Sequence, residues 1–376
     1  MVLRAAACLM LLASPLLAAG YDSAVELGEA LFFETELSAN RTQSCASCHD
    51  PNAGFADPRR DAAGAFSRGD DGESLGARHA PSAAYAALSP AFHQTEEGAW
   101  VGGQFWDGRA ADLAAQAGGP ILNGIELGLS SEAEAVARLA EDPDYVAAFA
   151  ALYDVDIRTD AAAGFAALTA ALAEFEASPV FQPFDSKYDR FLRGEATLTR
   201  AEELGRLLFF SQQFTNCNQC HQLRRSAIDP AEPFTDFRYH NIGVPVNVSG
   251  RQENGVAVDW VDNGLLDNPQ VDDPAQRGRF KTPTLRNVAV TGPYMHNGVF
   301  QDLRTVVAFY NKYNSASEAA RINPETGRQW GAAPVPETLS TEELTHGPAL
   351  DARRIDALVA FLETLTDSRY ESQLRR

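Results

Sequence analysis

The pentapeptide Cys45-Ala46-Ser47-Cys48-His49 has a counterpart in Cys217-Asn218-Gln219-Cys220-His221, and no other feature of the 376-residue chain restricts its fold as tightly. Two thiols one helical turn apart can each add to one vinyl group of a haem. The imidazole that follows then meets the iron from the proximal side, so Cys-x-x-Cys-His reads as the attachment signature of c-type haem. A thioredoxin-like pair does not need the histidine, and a zinc site would need four ligands gathered from distant segments. Two covalently bound haem c groups are therefore expected, one on Cys45, Cys48 and His49 and one on Cys217, Cys220 and His221.

The approach to each motif is repeated as well. Glu26-Leu27-Gly28 with Leu31-Phe32-Phe33 precedes Cys45, and Glu203-Leu204-Gly205 with Leu208-Phe209-Phe210 precedes Cys217. The apolar residues of each run are spaced i, i+4, i+5, which places them on one side of a helix. A repeated helix before a repeated motif implies two copies of one small domain. Elsewhere, Ser131 with Glu134 opens an amphipathic helix through Leu139, and Ala161 to Ala177 forms a second with Phe165, Leu168, Leu172 and Phe175 on one face. Ser178 to Arg193 has the composition of a linker, Asp229 to Lys281 that of irregular loops, and no long period-2 strand pattern occurs.

Residues 1–20, with Arg4 before an apolar run and small residues at Leu17-Ala18-Ala19-Gly20, read as a signal peptide for export to the periplasm. Cys8 would leave with it. No other stretch approaches a transmembrane span, so no membrane partner is expected. A formal net charge of −20 excludes a general nucleic-acid-binding surface, since phosphates must be met by Lys and Arg. Each haem iron has a sixth position to fill, and ligands are scarce. Beyond the signal only Met295, His79, His93, His240, His296 and His346 remain.

At this point the motifs resemble those of the bacterial dihaem cytochrome c peroxidases, and within them the MauG-like members. The family markers are Phe105-Trp106-Asp107-Gly108-Arg109, Phe280-Lys281 through Pro283-Thr284-Leu285-Arg286-Asn287, and Pro293-Tyr294-Met295-His296. Narrower MauG-like markers are Thr291 through Gly298, Phe309-Tyr310-Asn311-Lys312-Tyr313, and Ile322-Asn323-Pro324-Glu325-Thr326-Gly327. The resemblance implies a mainly α fold of two cytochrome c-like helical domains from an internal duplication, with long irregular loops. Residues 21–190 would carry a peroxide-reactive haem and residues 191–376 a six-coordinate one.

Tyr310 stands where classical members place a ligating methionine, so the resemblance implies a His221/Tyr310 haem. By periodicity alone Tyr310 continues the face of Leu303, Val306 and Val307 and reads as packing. No histidine occupies Gly69 to Gly76, which implies a haem at His49 open to peroxide, with Gln116 and Glu126 as its distal catalytic residues and Trp106 between the haems. A calcium ion is implied at the carbonyls of Thr291 and Pro293. His79 replaces the family's asparagine there, and imidazole suits a hard cation poorly, so weaker binding is expected. The implied activity is peroxide-driven oxidation of protein tryptophans, making tryptophan tryptophylquinone in the methylamine dehydrogenase precursor. The alternative is a peroxidase fed by a small cytochrome or copper protein. Thr215, where MauG has a tryptophan on the surface that meets that precursor, departs from the first of these.

Overall fold

The computed structural model describes residues 20–59, 65–223 and 228–374. The export signal read from the sequence lies, up to residue 19, outside them. Among the described residues the architecture is mainly helical. The first half holds α1 (Ala24–Phe32), the single turn α2 (Cys45–Cys48), α3 (Leu113–Leu122), α4 (Glu132–Leu139), α5 (Pro143–Tyr153) and α6 (Ala161–Glu176). The second holds α7 (Lys187–Leu192), α8 (Arg200–Phe209), α9 (Val248–Asn254), α10 (Leu303–Asn311), α11 (Thr341–Leu344) and α12 (Ala352–Glu363). Three antiparallel pairs of two-residue strands complete it, His93–Gln94 with Trp100–Val101, Tyr239–His240 with Phe280–Lys281, and Ile322–Asn323 with Arg328–Gln329. No described helix is long and apolar enough to cross a membrane.

The two repeated sequence runs become two similar helix pairs. The Ser23 hydroxyl accepts from the Glu26 amide to start α1, and a Thr199/Glu202 capping box starts α8. Leu27, Leu31 and Phe32 are fully buried against α6, where Leu168, Leu172 and Phe175 face them. Leu208 and Phe209 pack on α12 through Leu358 and Phe361. Each such side chain contributes about 1.5–3 kcal/mol on burial. The glycine repeated in both runs has a matching reason. A methyl group at Gly28 would collide with the Ala171 carbonyl of α6, and one at Gly205 with the Ala357 carbonyl of α12. Only glycine lets the two backbones approach so closely.

Ser178 to Arg193 is not the plain linker expected from composition. The Ser186 hydroxyl accepts from the Asp189 amide, and the Asp189 carboxylate returns to the Ser186 amide, which starts α7. Asp229 to Lys281 is irregular apart from α9, the strand residues and short turns. Side chains of the segment meet several of its backbone groups and tie it down: Asn241 accepts from the Gly243 amide and donates to the Val335 carbonyl, and Asn247 accepts from the Gly250 amide.

Two large hydrophobic clusters form, one drawn from residues 27–181 and one from residues 188–365, with a small third of Phe92, Tyr239, Leu265 and Val271. Between the two large clusters lies Arg286, whose guanidinium makes a two-pronged pair with Asp189 at 3.0 and 3.1 Å, both side chains 1% exposed. The rings of Tyr85, Phe184 and Phe234 surround the cation at 4.8, 4.4 and 5.6 Å. Tyr85 also donates to Asp367 at 2.6 Å, and Asp367 accepts from Asn287 at 2.7 Å. A charge this deeply buried is tolerable only when every donor is met.

Candidate active site

Ser44 and Ser47 cap α2 reciprocally, so Cys45 and Cys48 sit one turn apart. Cys217–Gln219 forms a tighter turn that does the same for Cys217 and Cys220. None of these four sulfurs is tied up in a disulfide, so each is open to a thioether bond. The histidines are set in matching ways. Nδ1 of His49 lies 3.1 Å from the Phe55 carbonyl oxygen, and Nδ1 of His221 lies 3.2 Å from that of Phe234. A carbonyl can only accept, so Nδ1 carries the proton and Nε2 keeps its lone pair for a metal. Burial lowers the pKa of both imidazoles, against the opposing pull of those hydrogen bonds, which favours the neutral, ligating form.

Cys217, Cys220, His221 and Tyr310 line one cavity of about 220 Å³. Its walls include Leu285, Val288, Val306, Val307 and Leu358, an apolar setting that fits a haem held by the two sulfurs and His221. α10 carries Leu303, Val307 and Tyr310 on this side, so the apolar stripe and the candidate ligand are one face. Burial pushes the Tyr310 phenol above its ordinary pKa, and a ferric cation in the cavity is the partner that would release its proton. Cys220, Asp236 and His240 also converge, with donor atoms within 4.8 Å. Once Cys220 is a thioether it carries no thiolate charge, and the cluster is no metal site. His240 is then left to Asp236, whose carboxylate lies 3.2 Å from Nε2.

Trp106 belongs to the first half by sequence yet lines this cavity. Its indole nitrogen donates to the His79 carbonyl at 2.7 Å, and its own carbonyl accepts from the Lys281 amide at 2.9 Å. The turn that presents it is tight, with Phe105 at φ 64 and Gly108 at φ 69. The Arg109 guanidinium lies 3.8 Å over the Phe105 ring and 2.9 Å from the Asp107 carboxylate. The charge of Arg109 also reaches Glu126. Burial raises the Glu126 pKa, while Arg109 and a hydrogen bond from Asn123 pull the other way. The charge of Glu126 is felt weakly at Cys48 of the first motif. Gln116 sits partly buried on α3, one turn before Pro120 and the loop that carries Glu126.

Other predicted residues fall as follows. His79 is buried, and its amide donates to the His296 carbonyl at 2.7 Å. Thr291 is partly buried and Pro293 buried, on the loop that leads to His296. Thr215 is 4% exposed, its hydroxyl bonded to the Leu208 carbonyl at 2.6 Å. Two further cavity residues, Lys281 and His296, are given no role by the sequence beyond the family markers and, for His296, the short supply of sixth ligands. Lys281 donates to the Gly103 carbonyl at 2.5 Å, with its pKa lowered to about 8 by burial. His296 stacks on Phe280 at 3.6 Å, its pKa lowered to about 4 by burial. Neither lies on a periodic apolar face, so only the family markers single them out.

A family model for di-haem cytochrome c peroxidase matches residues 22–197. Methylamine utilization protein MauG of Paracoccus denitrificans is 53% identical over 354 residues, covering 94% of this chain and 91% of that protein. MauG of Methylorubrum extorquens is 32% identical, covering 77% and 68%. Among solved structures, the diheme peroxidase BthA of Burkholderia thailandensis aligns with a TM-score of 0.83 at 33% identity, over 95% of this chain and 89% of that one. A MauG-like protein associated with microbial copper homeostasis aligns with a TM-score of 0.67 at 31% identity, over 94% and 92%. With both motifs, their histidines and this degree of likeness together, the chain belongs to the di-haem cytochrome c peroxidase family, on its MauG-like side, and is a haem-dependent oxidoreductase.

Proposed function

We propose that this chain uses hydrogen peroxide to oxidise tryptophan side chains of another protein in the periplasm, as in tryptophan tryptophylquinone formation on the methylamine dehydrogenase precursor. The observation that carries the proposal is that Tyr310 shares one cavity with His221, Cys217 and Cys220. In this reading the halves, residues 21–190 and 191–376, arose by duplication and each holds one haem c by thioether bonds. Haems held by Cys45, Cys48 and His49 and by Cys217, Cys220, His221 and Tyr310 would supply redox-active iron able to accept the oxidising equivalents of peroxide. Glu126 takes a proton from one peroxide oxygen and returns it to the other, a task suited to a buried carboxylate of raised pKa. Gln116 orients the peroxide by hydrogen bonding. Trp106, hung between the halves, relays electrons from one site to the other. Calcium at Thr291 and Pro293 braces the junction.

Thr215 favours a second reading, in which electrons come from a small cytochrome or copper protein, because a buried hydroxyl side chain cannot be oxidised in their path. The test is Tyr310→His. Under the leading reading the variant keeps two haems, raises the second haem's reduction potential and loses peroxide-driven oxidation of a partner protein. A Tyr310→Phe variant with an unchanged ferric spectrum and an unchanged peroxide reaction would make Tyr310 a packing residue and favour the second reading.

A further inference from the structure

The MauG-like run Ile322 to Gly327 has no place in the site described so far. It folds as a hairpin, Ile322–Asn323 paired with Arg328–Gln329, and it is fastened to the start of α10. The Glu325 carboxylate accepts from the Gln301 amide at 3.0 Å and the Asp302 amide at 2.9 Å, and Asp302 is the N-cap of α10. The hairpin delivers Trp330. Its ring packs edge-on against Phe300 at 5.6 Å and Phe309 at 5.4 Å, both fully buried, and remains partly exposed to solvent. Phe309 in turn meets Tyr310 at 6.0 Å. Trp330 therefore joins the surface to Tyr310 through one intervening ring.

We infer that Trp330 is the surface relay through which oxidising equivalents leave the second haem site, in place of a residue at position 215; the inference rests on the assignment of Tyr310 as that haem's ligand. The chain has four tryptophans, and the others fit the task less well. Trp106 lines the second half's cavity and, among the described residues, does not lead from it to the surface by any ring contact to another tryptophan. Trp100 stacks on Phe92 at 4.9 Å, and Phe92 leads to Tyr239, which does not line the cavity. Trp260 lies under the Arg251 guanidinium at 5.2 Å, and a cation beside an indole opposes its oxidation.

The electrons balance one at a time. Hydrogen peroxide, two protons and two electrons give two waters. Trp330 gives up one electron toward the site at Tyr310, is restored by one electron from a partner's side chain, and repeats. Its indole nitrogen donates to the Ala320 carbonyl at 2.8 Å, as that of Trp106 does to His79. A carbonyl is too weak a base to take the proton, so the oxidised indole stays a radical cation, a stronger oxidant than the neutral radical.

The experiment treats the two-haem protein, without any partner, with one equivalent of hydrogen peroxide, follows haem absorption, and then maps added oxygen by peptide mass spectrometry. Trp260 is 40% exposed, so attack from solvent would mark it first. The relay instead requires Trp330 to be marked ahead of Trp260 and Trp100. Trp330→Phe should keep the peroxide-induced absorption change while slowing its decay several-fold. A change that occurs while Trp330 is spared, or a decay unaltered in Trp330→Phe, overturns the relay alone. If peroxide leaves the wild-type absorption unaltered, the functional proposal falls and the relay falls with it.

Discussion

The Trp106 indole hangs from the His79 carbonyl by a 2.7 Å hydrogen bond, and the His79 amide is itself held by the His296 carbonyl at 2.7 Å. A side chain from the first half is thus placed in the second half's cavity by two backbone groups. The identity of the side chain at position 79 is therefore free of that task, and it can be changed without releasing Trp106.

That freedom makes the calcium question testable. His79→Asn should leave the haem spectra intact and tighten calcium binding by roughly tenfold or more, about 1.4 kcal/mol, because an amide oxygen replaces imidazole beside a hard cation. Calorimetric titration after chelation measures it. Equal affinity in both proteins would show that position 79 contributes no ligand.

In its proposed role as proton carrier, Glu126 would set a pH dependence. Burial raises its pKa, so the proton-accepting carboxylate form appears only above the ordinary range for glutamate. The peroxide reaction should therefore slow as pH falls through that raised value and level off above it. Glu126→Gln should remove this limb and slow the reaction by roughly 10²–10⁴-fold. Stopped-flow rates across the pH range check both, and a limb that persists in Glu126→Gln would assign it to another group.

The close helix contact at Gly205 makes a prediction about stability. Gly205→Ala forces α8 and α12 apart and should cost about 1–3 kcal/mol, while Gly124→Ala, which meets no neighbour, should stay within about 0.5 kcal/mol. Thermal unfolding of the two variants beside the wild type decides it. Equal midpoints for both would mean that the helices can part at no cost.

The repeated Glu-Leu-Gly and Leu-Phe-Phe runs carried α1 and α8 in their spacing, and the two Cys-x-x-Cys-His motifs carried the haem chemistry, because each is a local pattern. Tyr310 was legible only by resemblance. Its own periodicity points equally to packing, and the structure shows why, since the face of α10 that packs is also the wall of the cavity. α7 escaped notice because Pro and aromatic residues around it resemble a linker, while its start depends on a reciprocal Ser186/Asp189 bond. The contacts of Lys281, His296 and Trp330 were hidden for a different reason. They are made by irregular segments and a short hairpin whose meeting is settled by tertiary packing.

The Arg286 cage draws one wall from Tyr85 and Phe184 and another from Phe234, around an ion pair that has no water to soften it. Sliding the halves past each other would strip the Tyr85 ring from the cation and break the Tyr85–Asp367 hydrogen bond, while the ion pair itself travels with the second half. The tunnelling distance between the two attachment sites is then a constant of the molecule.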